Sequence, residues 1–215
     1  MAPSPRTALE RALSAGEPAA RATPLDALRA ARRMWLAEQR IDMGALAADV
    51  GISRATLYNW VGDRERLTAE VLWSLAERTI AEGRERAQGT GPAYISEVIA
   101  HYHHAVAAFE PMRRFLERDP EYALRVLTGT HTPFQRRLID ANRQLIEEQV
   151  RDAGYEPPLD PQTLADLLIR IGESFIFNNI ITGSEPDFEK AIQASRVLLF
   201  APRMQDPARA TPGGA

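Results

Sequence analysis

The chain has 215 residues, 45% of them hydrophobic and 26% charged, and a formal net charge of -3, which suits a globular protein with a sizeable core. It contains no cysteine, which excludes disulfides and thiolate metal sites. No apolar run approaches the roughly 20 residues of a membrane helix, and no signal-peptide pattern opens the chain. We therefore expect a cytoplasmic protein that does not enter the membrane.

The charges are distributed unevenly. Residues 1–66 hold ten Arg against eight acidic residues, a balance of +2, while the remaining 16 basic and 21 acidic residues give -5. A mildly basic N-terminal part favours nucleic-acid binding at that end of the chain.

Residues 1–22 are rich in Ala, Pro and Arg. A disordered terminus with incidental charge is the favoured interpretation. The alternative is a basic arm, with Arg6, Arg11 and Arg21, that reaches an adjacent minor groove or phosphates. In either case we expect 1–22 to be a flexible N-terminal arm.

The next segment, Thr23-Pro24-Leu25-Asp26, has the pattern of a capping box with proline at the first helical position. It predicts a helix to about Gln39. The inner face of this helix would be formed by Leu25, Leu28, Trp35 and Leu36. We expect the helix to pack across the two helices that follow it.

The segment from Asp42 to Leu67, DMGALAADVGISRATLYNWVGDRERL, predicts two short helices joined by a tight turn and followed by the start of another helix. Asp42 and Ser53 are preferred N-caps, and Gly51 stands where a left-handed residue closes the first helix. This is the pattern of a helix-turn-helix. Residues 23–68 are therefore predicted to form a three-helix DNA-binding head.

The second helix of this motif has a polar outer face. If Leu57 points inward, a rotation of roughly 100° per residue also places Trp60 and Val61 inward, and it places Ala55 and Asn59 outward. The Asn amide matches the major-groove edge of adenine, and the small Ala side chain permits close approach. A solvated surface helix would also be polar outside, so the face taken alone leaves both alternatives open.

Thr56 flanks this face with a hydroxyl and a methyl group, and Tyr58, Arg54 and Arg64 are placed for phosphate contacts. The candidate DNA-binding residues are Ser53, Arg54, Ala55, Thr56, Tyr58, Asn59, Trp60 and Arg64.

The sequence LAADVGISRATLYNWVGDRERL, within residues 24–85, resembles the signature of TetR-type transcriptional regulators, commonly LAxxAGVSxGTLYxHFxSKExL. The resemblance implies that the second helix of the motif contacts the major groove and that Tyr58 and Arg64 bind phosphates. It also implies that a variable helical body binds a dimer partner and an effector. Trp60-Val61-Gly62-Asp63 replaces the usual His-Phe-Pro-Ser, so Trp60 stands where the family often has a phosphate-binding His.

From Asp63 a helix without proline is predicted to about Arg86 or Ala87, where GTGP at 89–92 ends it. One element therefore joins head and body, which favours a mechanism in which the body moves the head.

Residues 69–200 are predicted to form an all-helical effector-binding and dimerisation domain, and 201–215 a disordered tail. Prolines that fit the first position of a helix predict where each helix begins. The predicted spans are 92–108, 111–118, 120–128, 133–153, 161–182 and 186–200. No segment alternates as a strand would, so the expected fold class is all-α.

The helix at 161–182 is apolar nearly all round, so several neighbours must cover it. The helix at 186–200 has Ala191, Ala194 and Ser195 on one side, which permits close approach. We predict a homodimer in which these two helices of each protomer form a four-helix interface. The alternative is that both helices belong to the core of a monomer.

Polar residues form a narrow stripe, the polar seam, along one side of the helix at 161–182. Its members are Asp166, Arg170, Glu173, Ser174 and Asn178. They form either an ion-paired stripe or one side of a cavity that binds an effector. The candidate effector-binding residues are Phe115, Leu116, Tyr122, Val126, Phe134, Arg170, Glu173, Ser174 and Phe177.

Two body segments, RRFLERDPEYALRVLTG and RIGESFIFNNIITGSEPDFEKAI, also resemble the regulatory domain of the TetR branch that controls quorum-signal degradation, the QsdR-like branch. This resemblance implies a small lactone-like or acylated effector.

The sequence shows little that points to catalysis. His101, His103 and His104 form the only cluster with metal-ligand chemistry, and ordinary, partly exposed histidines are the favoured interpretation. No phosphate-binding glycine loop or nucleophile motif is present, so we expect no cofactor, no metal and no enzymatic activity.

The predicted function is therefore a sequence-specific DNA-binding regulator, a repressor released from its operator by a small apolar effector. The alternative is a helical small-molecule-binding protein, or an enzyme in which Glu173 and a His serve as acid and base.

Overall fold

The computed structural model describes residues 7, 9–10, 22–178 and 185–203. Within these residues ten α-helices follow one another and no strand occurs. The helices are α1 (Pro24–Leu36), α2 (Met43–Val50), α3 (Arg54–Val61), α4 (Arg64–Arg86), α5 (Gly91–Ala108), α6 (Glu110–Arg118), α7 (Pro120–Thr128), α8 (Phe134–Ala153), α9 (Pro161–Ile176) and α10 (Phe188–Leu199). This order confirms the predicted all-α class.

The predicted helix starts are largely confirmed by their caps. The Thr23 hydroxyl accepts a hydrogen bond from the Asp26 backbone at 3.3 Å, and the Asp26 carboxylate accepts from the Thr23 backbone at 2.9 Å, which completes the capping box. Asp119 and Asp160 cap α7 and α9. The start of α10 differs from the prediction, because the side chain of Asp187 caps the helix and Pro186 lies before it.

The predicted end of α1 near Gln39 is wrong. The helix ends at Leu36, and Glu38 adopts a left-handed conformation with φ 58°. A left-handed residue just after a helix closes its last turn, and the Glu38 backbone N–H donates to the Trp35 carbonyl at 2.9 Å. Leu36, expected on the inner face, is 40% exposed.

Helix α9 ends at Ile176, with Phe177 as its C-cap, whereas the prediction continued it to residue 182. Residues 179–184 of that span lie outside the described part of the chain, as do most of the predicted arm at 1–22 and most of the predicted tail at 201–215.

The chain divides by packing into two compact units. The first unit contains Met1–Thr79 and Ala105–Arg137, and the second contains Ile80–His104 and Leu138–Ala215. The divisions fall within α4, α5 and α8. The predicted division by function, with an arm at 1–22, a head at 23–68, a body at 69–200 and a tail at 201–215, stays a prediction.

In the first unit, α1, α2 and α3 pack on one another as a small bundle. Leu46, Leu57 and Leu67 are fully buried, and Leu28 and Trp35 of α1 are buried as well. Burying a Leu side chain stabilises a fold by roughly 1.5 to 3 kcal/mol. These residues therefore fix the orientation of α3 against α1.

In the second unit, α9 packs along α10. Their buried residues Leu164, Leu168 and Leu199 belong to one cluster with Ile95 and Ile146. At the edge of this cluster, the Tyr155 hydroxyl donates to the Leu199 carbonyl at 2.6 Å. Burial raises the pKa of Tyr155 to about 12, so the hydroxyl stays a donor.

The three neighbouring histidines of α5 differ in their surroundings. His103 is buried, with Nδ1 2.9 Å from the Ile99 carbonyl, whereas His104 is exposed and lies beside Glu189. His101 is half-buried, and its Nε2 atom has no hydrogen-bond partner. The expectation of three partly exposed histidines is therefore wrong for His103, because the side of α5 that carries His103 faces the core.

Acid should destabilise the second unit through His103. Burial lowers the pKa of His103 from its ordinary 6.5, so the unfolded chain binds a proton that the folded chain does not. The contribution of neutral His103 to the free energy of unfolding is therefore fully present above about pH 6.5. It is lost as the pH falls from 6.5 toward the lowered pKa of the folded state. His103→Gln should flatten this dependence in urea titrations at pH 7.5 and 5.5. His104→Gln, on the same helix, is the control, and a pH dependence unchanged by His103→Gln would contradict the assignment.

Candidate nucleic-acid interface and cavities

The turn between α2 and α3 is built as the sequence predicts. Gly51 is left-handed, with φ 74° and ψ 32°, and closes α2. The Ser53 hydroxyl accepts from the Thr56 backbone N–H at 3.1 Å and lies 2.9 Å from the Thr56 hydroxyl. Ser53 therefore fixes both the start of α3 and the orientation of Thr56.

Helix α3 exposes the face that the sequence predicts. Leu57 and Val61 are buried, Ala55 and Asn59 are exposed, and Tyr58 is 47% exposed. The other candidate DNA-binding residues are the exposed Ser53 and Arg54 and the half-buried Thr56, Trp60 and Arg64. The burial pattern leaves mostly small and polar side chains on the exposed face of α3.

A close approach between α2 and α3 positions Arg54. The guanidinium of Arg54 occupies the space that a Cβ atom on Gly44 would need. It also lowers the pKa of Asp42, after the larger effect of the hydrogen bonds that Asp42 accepts from Ala45 and Gly44. The guanidinium of Arg54, the first residue of α3, is thus held beside the first turn of α2.

Arg64, the first residue of α4, lies on an aromatic ring. Its guanidinium carbon is 4.4 Å from the centroid of the Tyr122 ring, which is a cation–π contact. The Tyr122 hydroxyl lies 2.9 Å from the Thr68 hydroxyl and donates to the Arg64 carbonyl at 3.4 Å. Arg64, which the sequence predicts to bind a phosphate, therefore packs on the ring of a buried tyrosine of α7.

A cavity of about 230 Å³ lies beside this contact within the first unit. Trp35, Phe115 and Tyr122 form its aromatic wall, with ring centroids 6.0 Å apart both between Trp35 and Phe115 and between Phe115 and Tyr122. Phe115 and Tyr122 were predicted as effector-binding residues. Leu116 and Val126 are buried but lie outside this lining.

The same cavity carries positive charge. Arg40, Arg64, Arg114 and Arg118 line it together with only two carboxylates, Glu38 and Asp119. Both carboxylates are engaged, since Glu38 pairs with Arg114 and Asp119 accepts from the Tyr122 backbone at 3.1 Å. The Glu38 carbonyl also accepts from Arg118 at 2.7 Å.

Sequence reasoning missed most of this lining. Trp35 was assigned only to the core, and Arg40, Arg114 and Arg118 were not singled out for the cavity. The available signal was the density of arginine in RRFLER at 113–118, but the partner elements around Trp35 and Arg64 are distant in sequence.

The other predicted effector residues lie elsewhere. Phe134 packs edge-on against Trp73, with centroids 6.5 Å apart. In the second unit, Arg170 is exposed and donates to Asp166 at 3.0 Å, as the ion-paired stripe requires. Hydrogen bonding to Asp166 raises the pKa of Arg170, with Glu173 adding a smaller effect. Phe177 is buried.

Ser174 donates to the Ile171 carbonyl at 2.8 Å, so the hydrogen of its hydroxyl is engaged within α9. The second unit has a small cavity of about 40 Å³, with His103, Asn142 and Gly172 in its lining. That volume suits one or two waters. Across the described residues, no three His, Asp or Glu side chains come together as metal ligands would.

The cap at Ser53 offers a test that separates folding from DNA binding. Ser53→Ala should lower the free energy of unfolding by about 1 kcal/mol, and Ser53→Asp should restore it, because Asp caps as well as Ser. The added charge should nonetheless weaken DNA binding, because Ser53 lies on the outer side of the motif. Urea titration and duplex binding measure the two effects. DNA binding that survives Ser53→Asp undiminished would contradict the proposed interface.

The helical fold and the exposed α3 define a helix-turn-helix DNA-binding regulator. The family described as "Tetracyclin repressor-like, C-terminal domain" matches residues 90–200, more than half of the chain, and the protein belongs to this TetR family of transcriptional regulators. Regulators of this family bind DNA operators and small-molecule effectors and act as dimers.

Two of the solved structures that resemble the chain are TetR-family repressors. The TetR-family transcriptional repressor QsdR from R. erythropolis has 29% sequence identity and a TM-score of 0.76, over 85% of this chain and 97% of that one. The TetR-family repressor AlkX from Dietzia sp. strain DQ12-45-1b has 23% identity and a TM-score of 0.56, over 82% and 92% of the two chains, and shows the fold alone. The first match supports the predicted resemblance to QsdR-like regulators.

A comparison with curated protein sequences found no significant match. None of the helices in the described part of the chain has the length and apolar character needed to cross a membrane.

Proposed function

We propose that this protein is a repressor that binds a specific operator as a homodimer and is released by a small, largely apolar effector. The observation that carries the proposal is the outer face of α3, where Ala55 and Asn59 are exposed beside Tyr58 while Leu57 and Val61 are buried. A groove-binding helix needs such a face. Because its target is genomic DNA, we place the protein in the cytoplasm.

In this proposal Asn59 and Thr56 contact base edges, and Tyr58, Arg54 and Arg64 bind phosphates. Asn is the residue type that pairs bidentately with adenine. Arg54 is already held beside α2 and Arg64 on Tyr122, so both cations have defined starting positions. Ser53 and Ala55 are small enough to allow the backbone of α3 to approach the groove. Trp60 lies at the margin of the exposed face of α3.

The proposed dimer interface is the pair α9 and α10, the helices predicted at 161–182 and 186–200. Val197 is 75% exposed, and Phe200 and Leu167 also expose large apolar side chains. Exposed apolar residues on adjacent helices are typical of a surface that another protein covers. In a two-fold dimer each protomer presents the same patch to its partner.

For the effector we retain the predicted set of Phe115, Leu116, Tyr122, Val126, Phe134, Arg170, Glu173, Ser174 and Phe177 as candidates. The resemblance to QsdR-like regulators implies a lactone-like or acylated compound, and the similarity to QsdR, a repressor, favours repression. A ligand shifts DNA binding only by its differential affinity for the two states, so effector and operator must weaken each other's binding.

Selection of bound sequences from a random duplex pool tests this function. We expect a pseudo-palindrome with half-site centres roughly one helical turn apart, or a larger spacing if dimers load in pairs. Affinity should fall steeply with salt concentration, because phosphate contacts release counterions. A pool that shows no enriched sequence after repeated selection would refute the proposal.

A further inference from the structure

We propose that the cavity of the first unit binds a small aromatic monocarboxylate, whose anion pairs with the cavity's arginines, Arg64 among them. Occupancy would then withdraw Arg64 from the operator. This monocarboxylate is a second ligand, distinct from the apolar effector of the proposed function. The inference rests on the proposed function for its effect on DNA, but the binding of the ligand stands or falls independently.

The shape of the cavity sets the size of the ligand. Its volume of about 230 Å³ lies below the roughly 300 to 1,000 Å³ of sites for drug-sized molecules. At the packing density of a protein interior, it holds on the order of a dozen non-hydrogen atoms.

The wall favours a ring. Trp35, Phe115 and Tyr122 meet edge to face, each neighbouring pair 6.0 Å apart. Aromatic rings prefer such edge-to-face or offset contacts with one another. A ligand ring can continue this series, whereas a flexible acyl chain loses more conformational freedom on binding.

The charges favour an anion. Four arginines and two carboxylates leave the lining two charges positive. Arg114 is already ion-paired with Glu38 and Glu110. A ligand anion would therefore pair with Arg40, Arg64 or Arg118. Carboxylate–guanidinium hydrogen bonds are charge-assisted and stronger than neutral ones. A neutral ligand of the same size would leave these cations without a new partner.

The contact between Arg64 and Tyr122 couples ligand binding in the cavity to DNA binding by Arg64. Tyr122 lines the cavity and carries the Arg64 guanidinium on its ring, 4.4 Å from the centroid. Arg64 therefore has three competing partners: the tyrosine ring, a ligand carboxylate and an operator phosphate. A carboxylate in the cavity shifts this competition away from DNA.

Binding is tested by calorimetry with four compounds of equal heavy-atom count. They are 4-phenylbutyrate, decanoate, 4-phenylbutyramide and γ-decalactone. We expect saturable binding of 4-phenylbutyrate, one per protomer, weaker binding of decanoate, and at least about tenfold weaker binding of the two neutral compounds. Equal binding of the amide or the lactone overturns the anion site. Equal binding of decanoate overturns the aromatic preference, and no binding of either acid overturns the whole inference.

Two arginines of α6 provide a matched pair of variants. Arg118→Gln removes a lining cation and should weaken 4-phenylbutyrate binding by about tenfold or more. Arg113→Gln, on the same helix but outside the lining, should leave binding unchanged. Because Arg118 also binds the Glu38 carbonyl, the exposed lining residue Arg40 provides a second variant. If Arg118→Gln and Arg40→Gln both bind like the parent, the arginines do not form the site.

The effect on DNA is measured with the operator obtained from the duplex selection. Saturating 4-phenylbutyrate should weaken operator binding by roughly 5- to 150-fold, the usual range of coupling. Saturable binding in calorimetry with unchanged operator affinity would overturn the coupling through Arg64. Failure to select any operator would instead refute the proposed function, while the calorimetry would still decide the cavity.

Discussion

Replacing Asn59 by Ala should lower the affinity of the dimer for its operator by about 2 to 6 kcal/mol, because a bidentate base contact contributes about 1 to 3 kcal/mol and each of two half-sites loses one. Binding to random duplex should change little. The ratio of specific to non-specific affinity, from competition titrations at fixed salt, is therefore the quantity to measure. Asn59 is exposed, so its truncation leaves the packing of α3 intact.

Arg64→Gln is the matching variant for a phosphate contact. It should weaken binding to operator and random duplex alike and reduce the slope of affinity against salt concentration. If both variants bound the two kinds of duplex like the parent, α3 and the start of α4 would not be the DNA surface.

Introducing two charges on the proposed interface, Leu167→Glu and Val197→Glu together, should convert the dimer to a monomer. Both side chains are exposed and apolar in the single chain, so folding should survive while a buried, unpaired carboxylate at the interface becomes prohibitive. Sedimentation should show about 23.9 kDa for the variant and about twice that for the parent. Operator binding should fall at least as far as it does with Asn59→Ala, because each monomer contacts only one half-site.

Gln193→Glu adds a charge to an exposed polar position of the same helix α10 and is the control. If the double variant remained a dimer, the interface would lie elsewhere. A parent protein that is monomeric at micromolar concentration would refute the dimer itself.

Local chemistry explains what could be predicted from the sequence. The caps at Asp42 and Ser53 and the left-handed Gly51 act within a few residues of themselves, so their effects are visible in a short window of sequence. The inward phase of Leu57 and Val61 follows from helical periodicity alone. The helix-turn-helix was therefore predictable nearly to the residue.

The cavity was only partly predictable, because it depends on contacts across the chain. Trp35 meets Phe115, and Arg64 meets Tyr122, over long stretches of sequence, and neither pair leaves a periodic signal. The early end of α1 has the same cause. Glu38 closes the helix in a left-handed conformation while Arg114 and Arg118 of α6 bind its side chain and carbonyl, which no rule for helix ends contains.

The guanidinium of Arg54 lies where a side chain at residue 44 would have to go, which restricts the residues that position can accept. A methyl group at residue 44 would collide with the end of a flexible side chain and not with backbone, so Gly44→Ala should spare folding and displace only the guanidinium. The exposed neighbour Ala45 meets no such restriction. In a saturation screen for repression, residue 44 would then appear as intolerant as a DNA-contacting residue, although its own atoms need never approach the operator.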